Sequence, residues 1–341
     1  MNRKFVKILF FFLIIVITIG CTQKKKGVVD WELIFSVDKE VELEMILEDP
    51  VMPNVIGDID YYKGKLVLMY EMNDCHVHFF NAETGEELCS ALHVGRGPGE
   101  LIVARRFSLD GKTGTFSVYD FMSQRFLSGN IDSLYNGVLL SPVNEDFGQS
   151  LSVFPLPQGY FFFQPPLIKD QERRYFIKRS NGEIVKYEGY PYDDLNLLFR
   201  VAATYQMGVS RDGTRMVAAA SPGLIMEFFD LKNGIEKTHT RYFRKIFLDN
   251  DYPDSNRSGI GITDFYGTDK YIYATFGEPN TNRRYDNIAI FDWDGNPMKI
   301  FRTKYKKLFK ICVDDEERLL YVVGEKEDGN YFLAKLDLSK H

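Results

Sequence analysis

This sequence predicts an all-β fold, a six-bladed β-propeller whose blades hold about four antiparallel strands each, and three observations carry that expectation. Aromatic residues make up 15% of the 341 residues, with 28 Phe and 20 Tyr, a composition that suits pleated, half-buried surfaces better than helical bundles. Short strand-like runs recur with turn signals between them, and no long stretch carries a 3.6-residue apolar period. Turn glycines set a repeat: Gly85 to Gly182 is 97 residues, or two units, Gly182 to Gly234 is 52 and Gly234 to Gly295 is 61. Roughly 50 residues accommodate four short strands and their loops, the size of a propeller blade.

The repeating unit is an apolar strand, a polar stretch, and a second strand that ends in an acidic or glycine turn. It occurs at Lys65 to Gly85, Thr115 to Asp120, Tyr160 to Gly182, Arg215 to Gly234, Tyr271 to Gly295 and Arg318 to Leu338. One such sheet cannot hide both of its faces, so each must pack on its neighbours until the ring closes, which also removes most exposed edges. Length alone fits six units of ~52 residues or seven of ~45. The hairpin count selects six. Strand-like material from Val28 to Leu47 precedes the first full unit, and the last unit ends at His341, so N-terminal residues are expected to complete the final blade. A two-domain β-sandwich is the rival architecture, but no Pro/Gly/Ser-rich linker cuts the chain near its middle.

The N-terminus carries an address. Arg3, Lys4 and Lys7 precede an apolar run from Ile8 to Ile19, followed by Gly20 and Cys21, the order of a secretory signal. About 13 apolar residues span only ~20 Å, short of the ~30 Å core of a bilayer, so a permanent transmembrane helix is disfavoured. The stretch Thr18-Ile19-Gly20-Cys21 resembles a bacterial lipobox, with Thr18 where Leu is usual. The resemblance implies that residues 1–20 are removed as a signal peptide, that Cys21 carries the lipid, and that residues 21–27 form a polar tether to a single domain at 28–341. Without Arg3, Lys4 and Lys7 the 42 basic residues fall to 39 against 48 acidic ones, a balance of −9, and without Lys24, Lys25 and Lys26 the body is at −12. Such a surface argues against nucleic acid as a partner, since neutralising phosphates needs a basic face.

The segment Gly95-Arg96-Gly97-Pro98-Gly99-Glu100, directly after the first full hairpin, together with the lipobox, looks like the TolB-like six-bladed β-propeller lipoproteins common in Bacteroidetes. That resemblance covers essentially the whole mature chain and implies a propeller fold and an envelope location, with no established reaction. The acidic export signal of surface-displayed Bacteroidetes lipoproteins is absent after Cys21, where the sequence is basic, so the periplasmic side of the outer membrane is expected.

Candidate chemistry is sparse. Three alternating glycines around Arg96 and Pro98 could form an anion-holding concavity, with Arg96 adding charge; the structural alternative is a rigid inter-blade connection in which Glu100 accepts from nearby amides. His76 and His78 sit two apart on one strand and so share a side, as metal ligands would, although a polar outward face is the simpler reading and no metal or other cofactor is expected. Arg105 and Arg106, and Arg283, Arg284 and Tyr285, place guanidinium groups in expected inter-strand loops, where a carboxylate or sugar acid could be gripped bidentately. Loop aromatics Tyr190, Tyr192, Tyr205, Tyr252, Phe265 and Tyr266 could stack on sugar or peptide. Cys75, Cys89 and Cys312 remain once Cys21 is lipidated; a hairpin turning near Glu83 sets about residue 92 opposite Cys75, too far from Cys89 for a disulfide. There is no GxSxG elbow, HExxH pair or CxxC pair, and Asp193 and Asp194 read as turn residues. The expected function is a membrane-anchored binding module for a protein, peptide or glycan partner. The alternative is a metal-assisted carbohydrate or lactone hydrolase or lyase at the channel mouth, which requires at least three Asp, Glu, His or Asn side chains converging there.

Overall fold

The computed structural model describes residues 35–48, 57–147, 150, 152–156, 159–164, 173–188, 204–221, 224–244, 248–249, 252–253, 261–277 and 285–341. Strands β1 (Val37–Glu40) and β2 (Glu44–Glu48) come first in the chain. Blade 1 is β3 (Asp58–Tyr62), β4 (Lys65–Met72), β5 (Cys75–Asn81) and β6 (Glu87–His93). Blade 2 is β7 (Ala104–Asp110), β8 (Thr115–Asp120), β9 (Arg125–Asn130) and β10 (Ser141–Val143), with a short helix, Ile131–Tyr135, before its last strand. Blade 3 is β11 (Ser152–Leu156), β12 (Tyr160–Gln164), β13 (Arg173–Lys178) and β14 (Ile184–Glu188). Blade 4 is β15 (Thr204–Val209), β16 (Arg215–Ser221), β17 (Leu224–Asp230) and β18 (Glu236–Arg244). A two-stranded pair, β19 (Leu248–Asp249) and β20 (Tyr252–Pro253), precedes blade 5, which is β21 (Gly261–Gly267), β22 (Tyr271–Gly277), β23 (Asn287–Asp292) and β24 (Pro297–Arg302). Blade 6 is β25 (Lys307–Val313), β26 (Leu319–Glu325) and β27 (Tyr331–Asp337).

Its fourth strand comes from the other end of the chain. Strand β2 pairs antiparallel with β27, Glu44 opposite Lys335 and Glu48 opposite Phe332, while β1 lies parallel to β24 on the edge of blade 5. N-terminal residues therefore complete the final blade, and six sheets of four antiparallel strands close into one ring.

Six interfacial cores make that closure physical. The core between blades 1 and 2 joins Val67 and Phe79 to Phe107 and Phe116, and the core between blades 5 and 6 joins Ile288 and Phe301 to Ile311 and Phe332. The seam is the interface of blades 6 and 1, where Leu66, Leu68 and Phe80 pack on Cys312, Tyr321 and Val323. The middle strands are covered on both faces, which is why β5 and β17 are buried at six consecutive positions. Outer strands such as β6 alternate instead. The hairpins close on side-chain caps: Asn81 accepts from the amides of Glu83 and Thr84, and Asp110 from those of Lys112 and Thr113. Gly85 follows at φ 73°, and a Cβ there would lie 2.5 Å from Cγ2 of Ile46, next to the latch strand.

The first strand of each blade is the innermost. Strand β25 lies against β3, β3 against β7, β7 against β11, β15 against β21 and β21 against β25. Gly267 shows how close they run, since a Cβ there would sit 2.4 Å from the carbonyl oxygen of Val209. One face of each inner strand is apolar and packs on the preceding blade: Ile59, Phe107, Val153, Met207, Ile262 and Ile311 all do so. The opposite face is left for the central channel in β3, β7, β15, β21 and β25, while that of β11 packs Phe154 and Leu156 into the core with blade 4.

Candidate functional site

What these strands present to the axis is polar. By the two-residue alternation, β3 offers Asp58 and Asp60, β7 offers Arg106, β15 offers Gln206, β21 offers Asp264 and Tyr266, and β25 offers Lys310. In three of the five strands the charged residue is set by a bulge. The ladder slips between Ala104 and Arg106, between Ile262 and Asp264, and between Leu308 and Lys310. A bulge inserts one residue and re-aims the side chain that follows, and such bulges gather where a strand serves a site.

The groups meet across blades. Lys310 Nζ lies 2.9 Å from Asp264 Oδ1 and 3.9 Å from Asp58, joining blades 6, 5 and 1. The other Asp264 oxygen accepts from the Ile311 amide at 3.1 Å. Arg106 donates to the Gln206 side-chain oxygen from across the ring. Deeper, the Tyr266 hydroxyl donates to Asp60 at 2.8 Å. Arg211, in the turn after β15, closes that end: its guanidinium donates to the carbonyls of Val313 and Asp314 at 2.6 and 2.7 Å and reaches the Tyr266 hydroxyl at 3.5 Å.

Enclosure tunes the acids. Burial pushes the Asp60 carboxyl up to about 7, outweighing the hydrogen bonds from Tyr266 and the Tyr61 amide. Burial also raises Asp58, with Lys310 pulling the other way, and lifts the Tyr266 phenol and the Cys312 thiol well above their usual values. Yet the Asp58 side chain keeps 21% of its surface open to solvent. A carboxyl ringed by protein on all sides and still wet faces an internal channel.

The residues singled out from sequence fall in several places. Arg105 and Arg106 are not in a loop: both belong to β7, with Arg105 the extra residue of its bulge and Arg106 on the channel face. Phe265 and Tyr266 are likewise strand residues of β21, one buried between blades 4 and 5 and the other in the axial cluster. Tyr205 belongs to β15 and Tyr252 to β20. Tyr285 ties blade 5 to blade 6 through a parallel bridge to Lys307, donating its amide to the Lys306 carbonyl and accepting from Leu308. Cys21, Tyr190, Tyr192, Asp193, Asp194, Arg283 and Arg284 lie outside the described residues.

The glycine-rich segment connects β6 to β7. A Glu100 carboxylate oxygen accepts from the Gly97 amide at 2.7 Å, and a Cβ on Gly95 would fall 2.0 Å from that same oxygen. Arg125 clamps the loop from below by donating to the Glu100 carbonyl at 2.8 Å. Arg96 is exposed in this loop.

His76 and His78 are not on an outward polar face, because β5 is a middle strand and has none. Both rings are buried. His76 Nε2 bonds the Leu101 carbonyl at 3.0 Å, and His78 Nδ1 bonds Glu87 at 2.8 Å while its ring stacks on Tyr70 at 4.2 Å. Among the described residues no group of three or more His, Cys, Asp or Glu is placed to hold a metal ion. Cys75, Cys89 and Cys312 are free thiols; His93 stands opposite Cys75, and Phe79 opposite Cys89.

Comparison with known proteins agrees with the architecture. Residues 47–206 match the family model DUF5128, described as a 6-bladed beta-propeller, which supports a propeller family for this chain. No curated protein matches it. Among solved structures, a member of the DUF4221 family from Bacteroides vulgatus aligns with a TM-score of 0.54 at 12% identity, covering 88% of this chain and 99% of that one. BF0058 from Bacteroides fragilis, described as an exported protein, gives 0.53 at 13% identity, with 88% and 98% covered. Regucalcin from Agrobacterium tumefaciens, a calcium-binding protein, gives 0.52 at 12%, with 88% and 95% covered. At these identities the likeness is one of fold.

Proposed function

We propose that this chain is a non-catalytic binding module of the bacterial cell envelope. It is lipidated at Cys21, tethered to the periplasmic side of the outer membrane, and it receives a protein, peptide or glycan partner at the propeller channel. One observation supports the binding role above all: three inner strands each carry a bulge directly before a charged side chain aimed at the axis, Arg106, Asp264 and Lys310. The anchor rests on the basic and apolar residues 3–19 and on Cys21; among the described residues no helix is long and apolar enough to cross a membrane. Two acyl chains or more hold a protein at a bilayer where one does not.

Metal-assisted hydrolysis is the weaker reading. Three carboxylates, Asp58, Asp60 and Asp264, do converge on the axis, but the Lys310 ammonium stands between Asp58 and Asp264 where a cation would have to sit. The anchor is tested by fractionation of cells carrying Cys21→Ser, which should move the protein from the membrane to the soluble fraction; retention in the membrane rejects the lipid. The binding role is tested by pull-down from detergent-solubilised envelopes, where a partner displaced by Lys310→Ala is expected and a partner indifferent to that change places the contact elsewhere.

A further inference from the structure

The cations of the channel are not equally engaged. Arg211 places its guanidinium on the main-chain oxygens of Val313, Asp314 and Asp315 and on Tyr266. Lys310 is held by Asp264 and Asp58. Arg106 differs: its hydrogen bond goes to the neutral amide oxygen of Gln206, and among the described residues no carboxylate lies within ion-pair distance of it. A guanidinium has five N–H donors in a planar fork that matches a carboxylate, so most of this fork is unspent inside a protein-lined channel. With its oxygen committed to Arg106, the Gln206 side chain also has its amide hydrogens to offer.

Around that fork stand groups suited to hydroxyls: Asp58, Asp264 and Lys310 supply acceptors and donors from blades 1, 5 and 6. Burial holds Asp58 and Asp60 above the usual carboxylate range, which lowers the negative charge facing Arg106, and Arg106 acts on Asp58 through space.

We infer that the axial cluster binds a sugar acid, with the carboxylate on the Arg106 fork and Gln206 amide and the hydroxyls on Asp58, Asp264 and Lys310. This deepens the binding-module reading and rests on it. Free sugar acids and acidic residues of a glycan share this chemistry.

Isothermal titration of the full-length protein in detergent with glucuronate, a short oligouronate, glucose and an acidic peptide separates these sources. Binding of glucuronate assigns a free sugar acid, and binding of the oligouronate alone assigns a glycan; in either case glucose should be at least tenfold weaker. Arg106→Gln should weaken uronate binding at least tenfold, with circular dichroism and Tm reporting that the variant is folded; if it does not fold, Gln206→Ala is the second variant, with at least a threefold loss expected. The inference is overturned if neither uronate binds, if glucose or the peptide binds as tightly, or if the folded variant binds as the wild type does. A partner recovered by pull-down from envelopes, displaced by Lys310→Ala but insensitive to Arg106→Gln and to excess uronate, would overturn this inference and leave the binding module standing. Loss of both uronate and pull-down binding would remove the two together.

Discussion

Asp60 sits where three constraints meet: enclosure by the inner strands, a hydrogen bond from Tyr266, and Asp58 two positions away on the same face. Its folded-state value of about 7 stands above the 3.8 of a free aspartate, so the native state binds the proton more tightly than the unfolded chain. The stability this contributes is complete below about pH 4 and is lost as the pH rises through about 7, at no more than about 1.4 kcal/mol per pH unit. Replacing Asp60 by Asn removes that dependence. Urea denaturation at pH 5 and pH 8 should therefore show the variant gaining on the wild type at the higher pH; a difference independent of pH would mean that Asp60 does not titrate in this window. Glu100 is a simpler case. Its carboxylate accepts from the Gly97 amide, so Glu100→Ala leaves that donor without its partner and should lower stability by about 1 kcal/mol in denaturant titration. The Glu100 contact is legible in the sequence, as a carboxylate accepting from the amides of its own glycine-rich loop, whereas the role of Asp60 depends on what folds over it.

The strands differ in how openly the sequence declares them. Middle pairs such as β4 with β5 and β26 with β27 are covered on both faces and read as near-continuous apolar runs; five of the six units found from sequence are these middle pairs, and the sixth, Thr115 to Asp120, is β8 alone, one member of such a pair. The same coverage explains the misplacement of His76 and His78, polar residues in a strand with no exposed face. Inner strands hide better. In β7, two consecutive arginines and an aspartate read as a loop, because the bulge at Arg105 breaks the alternation that would have marked a strand. The axial cluster joins side chains as far apart in sequence as Asp60 and Tyr266, 206 positions, and only the ring brings them together. At the latch, the Phe332 ring is fully buried between blades 5 and 6 and stands against Tyr305 at 4.4 Å. Phe332→Ala should cost about 3 to 5 kcal/mol, read as a drop in the denaturation midpoint. A loss below about 1 kcal/mol would mean that this seam is not packed as described.

The ring as a whole makes the channel, and the channel makes the site. Five inner strands supply Asp58, Arg106, Gln206, Asp264, Tyr266 and Lys310, and opening the circle at any seam would separate them. Closure depends on the pairing of the two ends of the described chain, where Glu44 lies opposite Lys335 in the ladder and the side chains meet at 3.0 Å. Side chains directly opposite in such a pair have Cβ atoms about 4.5 to 5.5 Å apart, close enough for a bridge with slight adjustment. The most direct measurement is therefore oxidation of the double variant Glu44→Cys, Lys335→Cys followed by peptide mapping. A bond between positions 44 and 335, formed in the native protein and raising its Tm reversibly with oxidation, is predicted. Failure of that bond to form in a folded protein, or its formation only between molecules, would contradict the closed wheel of six blades and the axial site that depends on it.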